Sequence, residues 1–334
     1  MLDKITSDLH YRNQLGKILE TLDIYSIGRD DIIELLLAMS FNNKHGVVPS
    51  STHLKLVDLF CRSSGLIQET IHKFRHSPIQ DTLNSIVLQS ENVRITASDF
   101  TNIIADLKNI GYATLPCSLH KNICDEILSY AYLQQHTCLA RYGSQNRRYE
   151  VSGLDELQPY TLSAAMKESC INASNTIHII INDPVILGLV SFYLRTKICV
   201  RSVSFWHSFE AIDHEPYGEL AQLFHYDLDE FRWLKLFIFL TDVSDNNGPH
   251  VFIPGSHRPG FKDPKLLSRG YARISDDDMD RYHPRSSWKY LTCSAGTLVL
   301  ADTRCWHKGT AVKTGVRSLL QPEYAPTKFS MNLI

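Results

Sequence analysis

The chain has 334 residues, of which 43% are hydrophobic and 21% are charged, a composition typical of a packed globular protein rather than a disordered or fibrous one. Its formal net charge of -2 argues against a nucleic-acid partner, because nucleic-acid-binding proteins usually carry a basic stripe. No apolar run is long enough to span a bilayer and the N-terminus lacks the pattern of a secretory signal, so we expect a cytoplasmic protein. The eight cysteines include no Cys-x-x-Cys pair and are interpreted mainly as small buried side chains.

The beginning of the chain shows a helical pattern. Hydrophobic residues recur there at intervals of three and four, which places them on one face of an amphipathic helix: Leu15, Ile18, Leu19 and Leu22. Thr96 or Ser98 is suited to cap a further helix that ends at Gly111. We therefore predict an N-terminal helical region over residues 1–95, followed by one larger domain over residues 96–334.

From about Lys197 onward the pattern is that of short β-strands separated by turn sequences such as Asn247-Gly248-Pro249. The predicted strands are Ile198 to Phe205, Leu234 to Val243, Val251 to Ile253, Gly296 to Ala301 and Val316 to Tyr324. Many short strands with such turns are typical of a β-sandwich or jelly roll. Two polar stretches, Gln145 to Ser163 and Phe261 to Ser287, do not follow the strand rhythm, and we predict that they are irregular loops at the mouth of a site.

Three residues are candidate metal ligands. His225 and Asp227 are separated by one residue, so that in an extended backbone both side chains lie on the same side. With 15 histidines in the chain this pair alone is weak evidence, since a His–Asp hydrogen bond would explain it equally well. His307, which follows a predicted strand and a sharp turn, supplies a third ligand. Two imidazoles and one carboxylate suit a non-haem Fe(II) oxygenase, and they also suit a catalytic zinc.

Further candidates lie around these residues. Arg317 stands ten residues after His307 in a predicted strand, where its guanidinium is suited to bind the distal carboxylate of a dicarboxylic cosubstrate, although a structural salt bridge is the alternative. Gln222 and Lys235 flank the His225-Tyr226-Asp227 segment and are candidate contacts for cosubstrate or substrate, but neither needs a ligand to explain it. We interpret His207 as a histidine of the core or of the surroundings of the metal rather than as a fourth ligand.

Together these motifs resemble the phytanoyl-CoA dioxygenase family over roughly residues 107–325. The resemblance rests on Ile110 to Pro116, His225-Tyr226-Asp227, NNGPHVFIPGSHR at 246–258, Trp306-His307-Lys308-Gly309 and Arg317. It implies a double-stranded β-helix fold that uses Fe(II), 2-oxoglutarate and O2, with His225, Asp227 and His307 as iron ligands and Arg317 as the anchor of 2-oxoglutarate. The segment after Asp227 is shorter than in the enzyme that names the family, and the N-terminal helical part is extra, so a fatty acyl-CoA substrate is not assumed.

The sequence thus predicts a mainly β protein with helical additions, in which a jelly-roll core follows an N-terminal helical region. The predicted function is that of a non-haem Fe(II)/2-oxoglutarate dependent dioxygenase that oxidises a small organic metabolite, in the simplest case by hydroxylation, with release of succinate and CO2. Two alternatives stay open. One is a Zn-dependent hydrolase, against which Arg317 argues, and the other is a catalytically silent jelly-roll protein for binding or assembly.

Overall fold

The largest element of the fold is an eight-stranded sheet that shares a hydrophobic core with a second sheet of three strands. The computed structural model describes residues 9–35, 50–75, 86–143, 145–211 and 218–327. Its strands are β1 (Tyr112–Ser118), β2 (His136–Tyr142), β3 (Gln145–Val151), β4 (Thr161–Met166), β5 (Cys199–Phe209), β6 (Leu234–Phe239), β7 (His250–Phe252), β8 (Lys289–Leu291), β9 (Thr297–Ala301), β10 (His307–Lys308) and β11 (Val316–Ala325).

Helices lie mainly before the first strand and between β4 and β5. They are α1 (Leu9–Leu22), α2 (Ser50–Ser63), α3 (Leu66–Arg75), α4 (Ala97–Asn109), α5 (Lys121–Tyr132), α6 (Glu168–Ala173), α7 (Asn175–Ile181), α8 (Pro184–Leu194), α9 (Pro264–Leu267) and α10 (Asp276–Asp280), and residues 29–35 are also helical. In the described ranges, no single helix combines the length and the apolar composition needed to cross a membrane, whereas α7 and α8 taken together across a 41° bend do.

The strand order is β1-β9-β6-β11-β5-β4-β2-β3 in the larger sheet and β10-β7-β8 in the smaller one. All of these pairs are antiparallel. Strands that neighbour each other in space are often far apart in sequence, as where β11 lies between β5 and β6. Two sheets interleaved in this way form a double-stranded β-helix, so the fold class predicted from the sequence is confirmed.

Strand β6 shows how both faces of the larger sheet are buried. Phe237 and Phe239 point into the core that the two sheets share, whereas Leu236 and Ile238 lie in the core formed with the helices. A strand covered on both sides reads as a nearly continuous hydrophobic run, which explains the sequence LKLFIF. The one charged residue of the strand, Lys235, lies on the inner face with the two phenylalanines.

Helix α4 has the ends that the sequence predicted. Thr96 caps it, and its hydroxyl accepts a hydrogen bond from the backbone N–H of Asp99, whose carboxylate in turn accepts one from the backbone N–H of Thr96. The helix ends before Gly111, whose φ of +90° favours glycine. A Cβ at this position would lie 2.4 Å from Sγ of Cys305, so the close packing of this turn on the barrel also requires glycine.

The N-terminal helices pack on the barrel beside the segment that carries His225. Leu22 of α1, Phe60 of α2 and Ile67 of α3 share one core with Tyr226 and Trp306. The helical character predicted for residues 1–95 is confirmed over most of 9–35 and 50–75, but residues 86–95 are not helical and contain only an isolated bridge between Gln89 and Arg94. Residues 1–8, 36–49 and 76–85 lie outside the described ranges. The division into two regions at residue 95 stays a prediction.

One of the two predicted loops is wrong. The stretch Gln145 to Ser163 contains β3, which pairs with β2 over its whole length, and the beginning of β4. Strand β3 forms the edge of the sheet and most of its side chains are exposed, so its sequence QNRRYEV lacks the hydrophobic alternation of a half-buried strand. The other stretch, Phe261 to Ser287, has only short helices and a strand-like bridge at Ile274, so its irregular character agrees with the prediction, while its position at the mouth of a site stays a prediction.

Candidate metal centre and its surroundings

The backbone holds His225 and His307 side by side. Each residue donates its N–H to the carbonyl of the other, with N···O distances of 2.9 and 2.8 Å, and the imidazole centroids are 4.3 Å apart. The backbone N–H of Asp227 donates to the carbonyl of Thr303 at 2.9 Å, so the two segments also bond two residues further along the first and four residues back along the second. The three side chains that the sequence predicted as ligands therefore meet at one place, although residues 225 and 307 are far apart in the chain.

Backbone carbonyls orient both imidazoles in the same way. Nδ1 of His225 lies 2.8 Å from the carbonyl of Leu223, and Nδ1 of His307 lies 2.9 Å from that of Cys305. A carbonyl can only accept, so each Nδ1 carries the proton and each Nε2 keeps its lone pair. The Nε2 atoms lie 3.8 and 3.7 Å from the carboxylate oxygens of Asp227.

The protonation states at this place suit a divalent metal. Burial lowers the pKa of both His225 and His307, so both imidazoles are neutral near pH 7. Burial alone would raise the pKa of Asp227, but the ammonium of Lys235 and the two imidazoles hold it well below its ordinary value. Two neutral imidazoles and one carboxylate, with ligand atoms all within 4.8 Å of one another, are a donor set that fits non-haem iron.

Residues 163–318 match the family model described as phytanoyl-CoA dioxygenase. The chain contains a phytanoyl-CoA dioxygenase family domain. Its enzyme class is that of the Fe(II)/2-oxoglutarate dependent oxygenases, which use Fe(II), 2-oxoglutarate and O2. The family, the enzyme class and the cofactors expected from the sequence are thus confirmed. No curated protein matches this sequence.

Solved structures that this chain is similar to include the non-heme alpha ketoglutarate dependent epimerase SnoN from nogalamycin biosynthesis, at 17% identity and a TM-score of 0.50 over 69% of this chain and 84% of that one. EctD from S. alaskensis is 16% identical, with a TM-score of 0.46 over 75% and 83%. HygX from Streptomyces hygroscopicus, solved with nickel and 2-oxoglutarate bound, is 12% identical, with a TM-score of 0.47 over 71% and 89%. The likeness to SnoN supports the double-stranded β-helix fold of the phytanoyl-CoA dioxygenase family domain.

Arg317 is buried in the family domain, and no acidic side chain in the described ranges lies within ion-pair distance of it. Its Nη2 donates to Oγ of Ser208 at 3.1 Å and its Nη1 donates to the carbonyl of Gly248, while Nε has no hydrogen-bond partner among the described residues. Burial lowers the pKa of Arg317 to about 10, so the guanidinium is still charged at neutral pH. A buried charge without a counter-ion is costly. The salt bridge weighed as an alternative for this residue is not present in the described part of the chain.

A cavity of about 680 Å³ is lined by Arg317 and His250. Its wall includes Gly309, which follows His307 by two residues, and the hydroxyl-bearing Ser204 and Ser208 of β5. This volume lies within the range of small-molecule sites in proteins. The cavity is therefore able to hold a cosubstrate with its charged end against the guanidinium of Arg317.

His250 lines the same cavity and was not singled out from the sequence. Burial lowers its pKa well below the ordinary value, and Arg317 and the two candidate ligand histidines are close enough to lower it further. Its Nδ1 has no hydrogen-bond partner within the described residues. The available signal was strand alternation, because residues 250 and 252 share a face and Phe252 lies in the core between the sheets.

Lys235 and Gln222 differ in how close the structure brings them to the metal centre. Nζ of Lys235 lies 2.7 Å from Asp227 and 2.8 Å from Asp229, so it contacts the candidate ligand itself. Burial would lower the pKa of Lys235, but these carboxylates and Glu323 raise it well above its ordinary value. Gln222 is buried three residues before His225. For both residues, a role in binding the cosubstrate stays a prediction.

His207 and Cys305 lie in surroundings that indicate structural rather than catalytic roles, as expected from the sequence. His207 is buried in β5, where its Nδ1 lies 2.7 Å from Oγ of Ser318, and burial together with the adjacent His136 lowers its pKa to about 3. Cys305 is fully buried, and burial raises the pKa of its thiol to about 11. A thiol with so high a pKa is not a nucleophile at neutral pH.

Proposed function

We propose that this oxygenase hydroxylates a small organic molecule, with conversion of 2-oxoglutarate to succinate and CO2, at a metal centre formed by His225, Asp227 and His307. The observation that carries the proposal is the buried cluster of two neutral imidazoles and one carboxylate, together with a cavity whose wall includes the Arg317 guanidinium, which has no acidic partner among the described residues. A zinc hydrolase does not need that guanidinium, whereas a dicarboxylic cosubstrate does.

In this proposal, His225 and His307 bind Fe(II) through Nε2, and Asp227 binds it through its carboxylate. When bound, the iron and 2-oxoglutarate together supply the O2-derived oxidant that attacks a C–H bond of the substrate. The protein residues provide the geometry: the carbonyls of Leu223 and Cys305 keep both rings in the tautomer that leaves Nε2 free. Lys235 keeps Asp227 ionised when no metal is bound.

Arg317 binds the distal carboxylate of 2-oxoglutarate, and Ser208 orients its guanidinium. His250 lies on the same cavity wall, where its imidazole contacts the cosubstrate and helps to exclude water from it. Because the Arg317 side chain is buried, its contact with a carboxylate is strong, since no water competes for the charge. The part of the cavity that the cosubstrate does not fill is the place for a small substrate.

The test is anaerobic reconstitution with Fe(II) or Zn(II), followed by addition of 2-oxoglutarate, O2 and candidate metabolites. We expect succinate to form with iron only, and a hydroxylated product to appear in amounts equal to the succinate that the metabolite induces. Hydrolysis of a metabolite by the zinc form would instead support a hydrolase. Failure of the iron form to bind 2-oxoglutarate under anaerobic conditions would support a catalytically silent binding protein.

A further inference from the structure

A second cavity, of about 550 Å³, lies between α3, the C-terminal end of α8 and the turn at residues 257–259. It shares no lining residue with the cavity at Arg317. Its wall contains one acidic side chain, Glu69, and six basic ones: Lys73, Lys108, Arg195, Arg232, Arg258 and Arg304. We call it the basic cavity. This excess of positive charge contrasts with the net charge of -2 of the whole chain.

The negative charges at this cavity are already paired. Nη1 of Arg232 donates to both oxygens of Glu69 at 2.9 and 2.8 Å, and Nη1 of Arg304 donates to one of them at 2.9 Å. Behind the wall, Arg304 also donates to both oxygens of Asp302 at 2.9 and 2.6 Å. Two carboxylates therefore account for the two arginines, and within the described part of the chain they leave the other four cations without a counter-ion.

Those four cations are exposed at the rim, and in the described residues none has a carboxylate within ion-pair distance: Lys73, Lys108, Arg195 and Arg258. The negative ends of neighbouring helices offset only part of these four positive charges. Lys108 lies in the last turn of α4 and Arg195 is the C-cap of α8, and each helix C-terminus carries about half a negative charge. Two helix ends thus offset about one positive charge in four, and about three remain.

We propose that the basic cavity binds a small organic molecule that carries a phosphate or diphosphate group. About three uncompensated positive charges suit a phosphate dianion or a diphosphate better than a single carboxylate, and the two rim arginines can bind phosphate oxygens in pairs. The Tyr193 ring, with the Arg232 guanidinium 5.2 Å from its centroid, and Pro259 give the cavity an apolar wall for the organic part. The volume is in the range of small-molecule sites.

This site is separate from the proposed metal centre and does not depend on the proposed function. The probe is inorganic pyrophosphate, titrated calorimetrically into the full-length protein at low ionic strength. We expect one binding site, weakened at least about tenfold in Arg195→Gln/Arg258→Gln and also in Lys73→Gln, because each change removes a charge-assisted hydrogen bond. All three residues are exposed, so the variants are expected to fold.

Lys197→Gln is the matched control, since Lys197 is exposed two residues from Arg195 but does not line the cavity. Binding of 2-oxoglutarate to the iron form is expected to be the same in all of these variants. The proposal is overturned if the native protein does not bind pyrophosphate, or if the control loses as much affinity as the cavity variants. Displacement of pyrophosphate by a tighter-binding single-stranded oligonucleotide would equally overturn the assignment to a small molecule.

Discussion

The chemistry of the candidate metal centre depends on short-range contacts of single residues. His225 and His307 use the same device, in which the carbonyl two residues earlier accepts the Nδ1 proton. Each imidazole is thus aligned by its own segment, and the backbone pairing of the two segments then sets the distance between the rings. Asp227 needs a different kind of support, because a buried carboxylate without a metal requires the ammonium of Lys235.

Replacement of His307 by Ala is expected to abolish iron retention while the fold is kept. Loss of a partner that only orients a ligand usually costs about 10–100-fold in metal affinity, and loss of a ligand costs more. Iron content after anaerobic loading measures this, with circular dichroism as a check of the fold. His178→Ala is the control, since this exposed histidine lies on α7. Full iron occupancy in His307→Ala would show that His307 is not a ligand.

Replacement of Arg317 by Lys is expected to raise the dissociation constant for 2-oxoglutarate and to leave that for iron nearly unchanged. An ammonium is a point charge that cannot bind both oxygens of a carboxylate as a guanidinium does. Anaerobic titration of the iron-loaded protein with 2-oxoglutarate measures the effect separately from turnover. If the dissociation constant is unchanged, another residue holds the distal carboxylate.

At the scale of elements, α3 is bound to the barrel by polar contacts as well as by its hydrophobic face. Nε2 of Gln68 donates to the carbonyl of Glu230 at 2.9 Å, and Glu69 binds Arg232 and Arg304. Two of these three partners are near the candidate ligands in sequence, since Glu230 follows Asp227 by three residues and Arg304 precedes His307 by three. The helix therefore supports the segments that present the candidate ligands.

The change Glu69→Gln is expected to lower the free energy of unfolding in a pH-dependent way. Burial alone would raise the pKa of Glu69, but Arg304 and Arg232 hold it at about 2, below its ordinary value of 4.5. A lowered carboxyl pKa contributes stability that is fully present above pH 4.5 and is lost as the pH falls toward 2. The difference between the pKa values corresponds to about 3 kcal/mol.

Urea denaturation of the wild type and of Glu69→Gln at a series of pH values tests this. The gap in stability between the two proteins should be constant near pH 7 and should narrow below pH 4.5. Glu156→Gln is a control with an exposed carboxylate. A gap that does not change with pH would mean that the Glu69 ion pairs contribute no net stability.

At the scale of the whole molecule, the N-terminal helices and the barrel have a common core. Phe60 of α2 stacks on Tyr226 at a centroid distance of 4.8 Å, and Tyr226 lies between the two candidate ligands of its segment. The Lys262 ammonium lies 5.8 Å from the Phe60 ring and 5.8 Å from the Trp306 ring. Because the same side chains stabilise both parts, we expect the described regions to unfold together.

Phe60→Ala is expected to destabilise the protein by about 3–5 kcal/mol, because it removes a fully buried ring from this core. Tryptophan fluorescence and far-ultraviolet circular dichroism should follow a single, coincident transition in urea. Leu54→Ala, on the same helix but at a residue that is 69% exposed, is expected to change the stability by less than about 0.5 kcal/mol. Two separate transitions would show that the helical region folds independently.

Features set by neighbouring residues could be predicted from the sequence. The ends of α4, the five predicted strands and the shared side of His225 and Asp227 all follow from patterns that repeat within a few residues. The pairing of those two residues with His307 and Arg317 was supported by the family resemblance, and not by periodicity. The fold class and the three converging side chains were therefore predictable before any coordinates.

Only the tertiary structure decided the contacts between distant segments. The order and register of the strands bring the Lys235 ammonium into contact with the Asp227 carboxylate and place His250 in the wall of the cavity at Arg317. The basic cavity is formed by several segments that are far apart in the sequence. The polar strand β3 forms because it pairs with the free edge of β2. Its own residues show no hydrophobic alternation that would predict a strand. Local periodicity reports which face of an element is buried, whereas the partners that meet on that face depend on how the strands are ordered and registered.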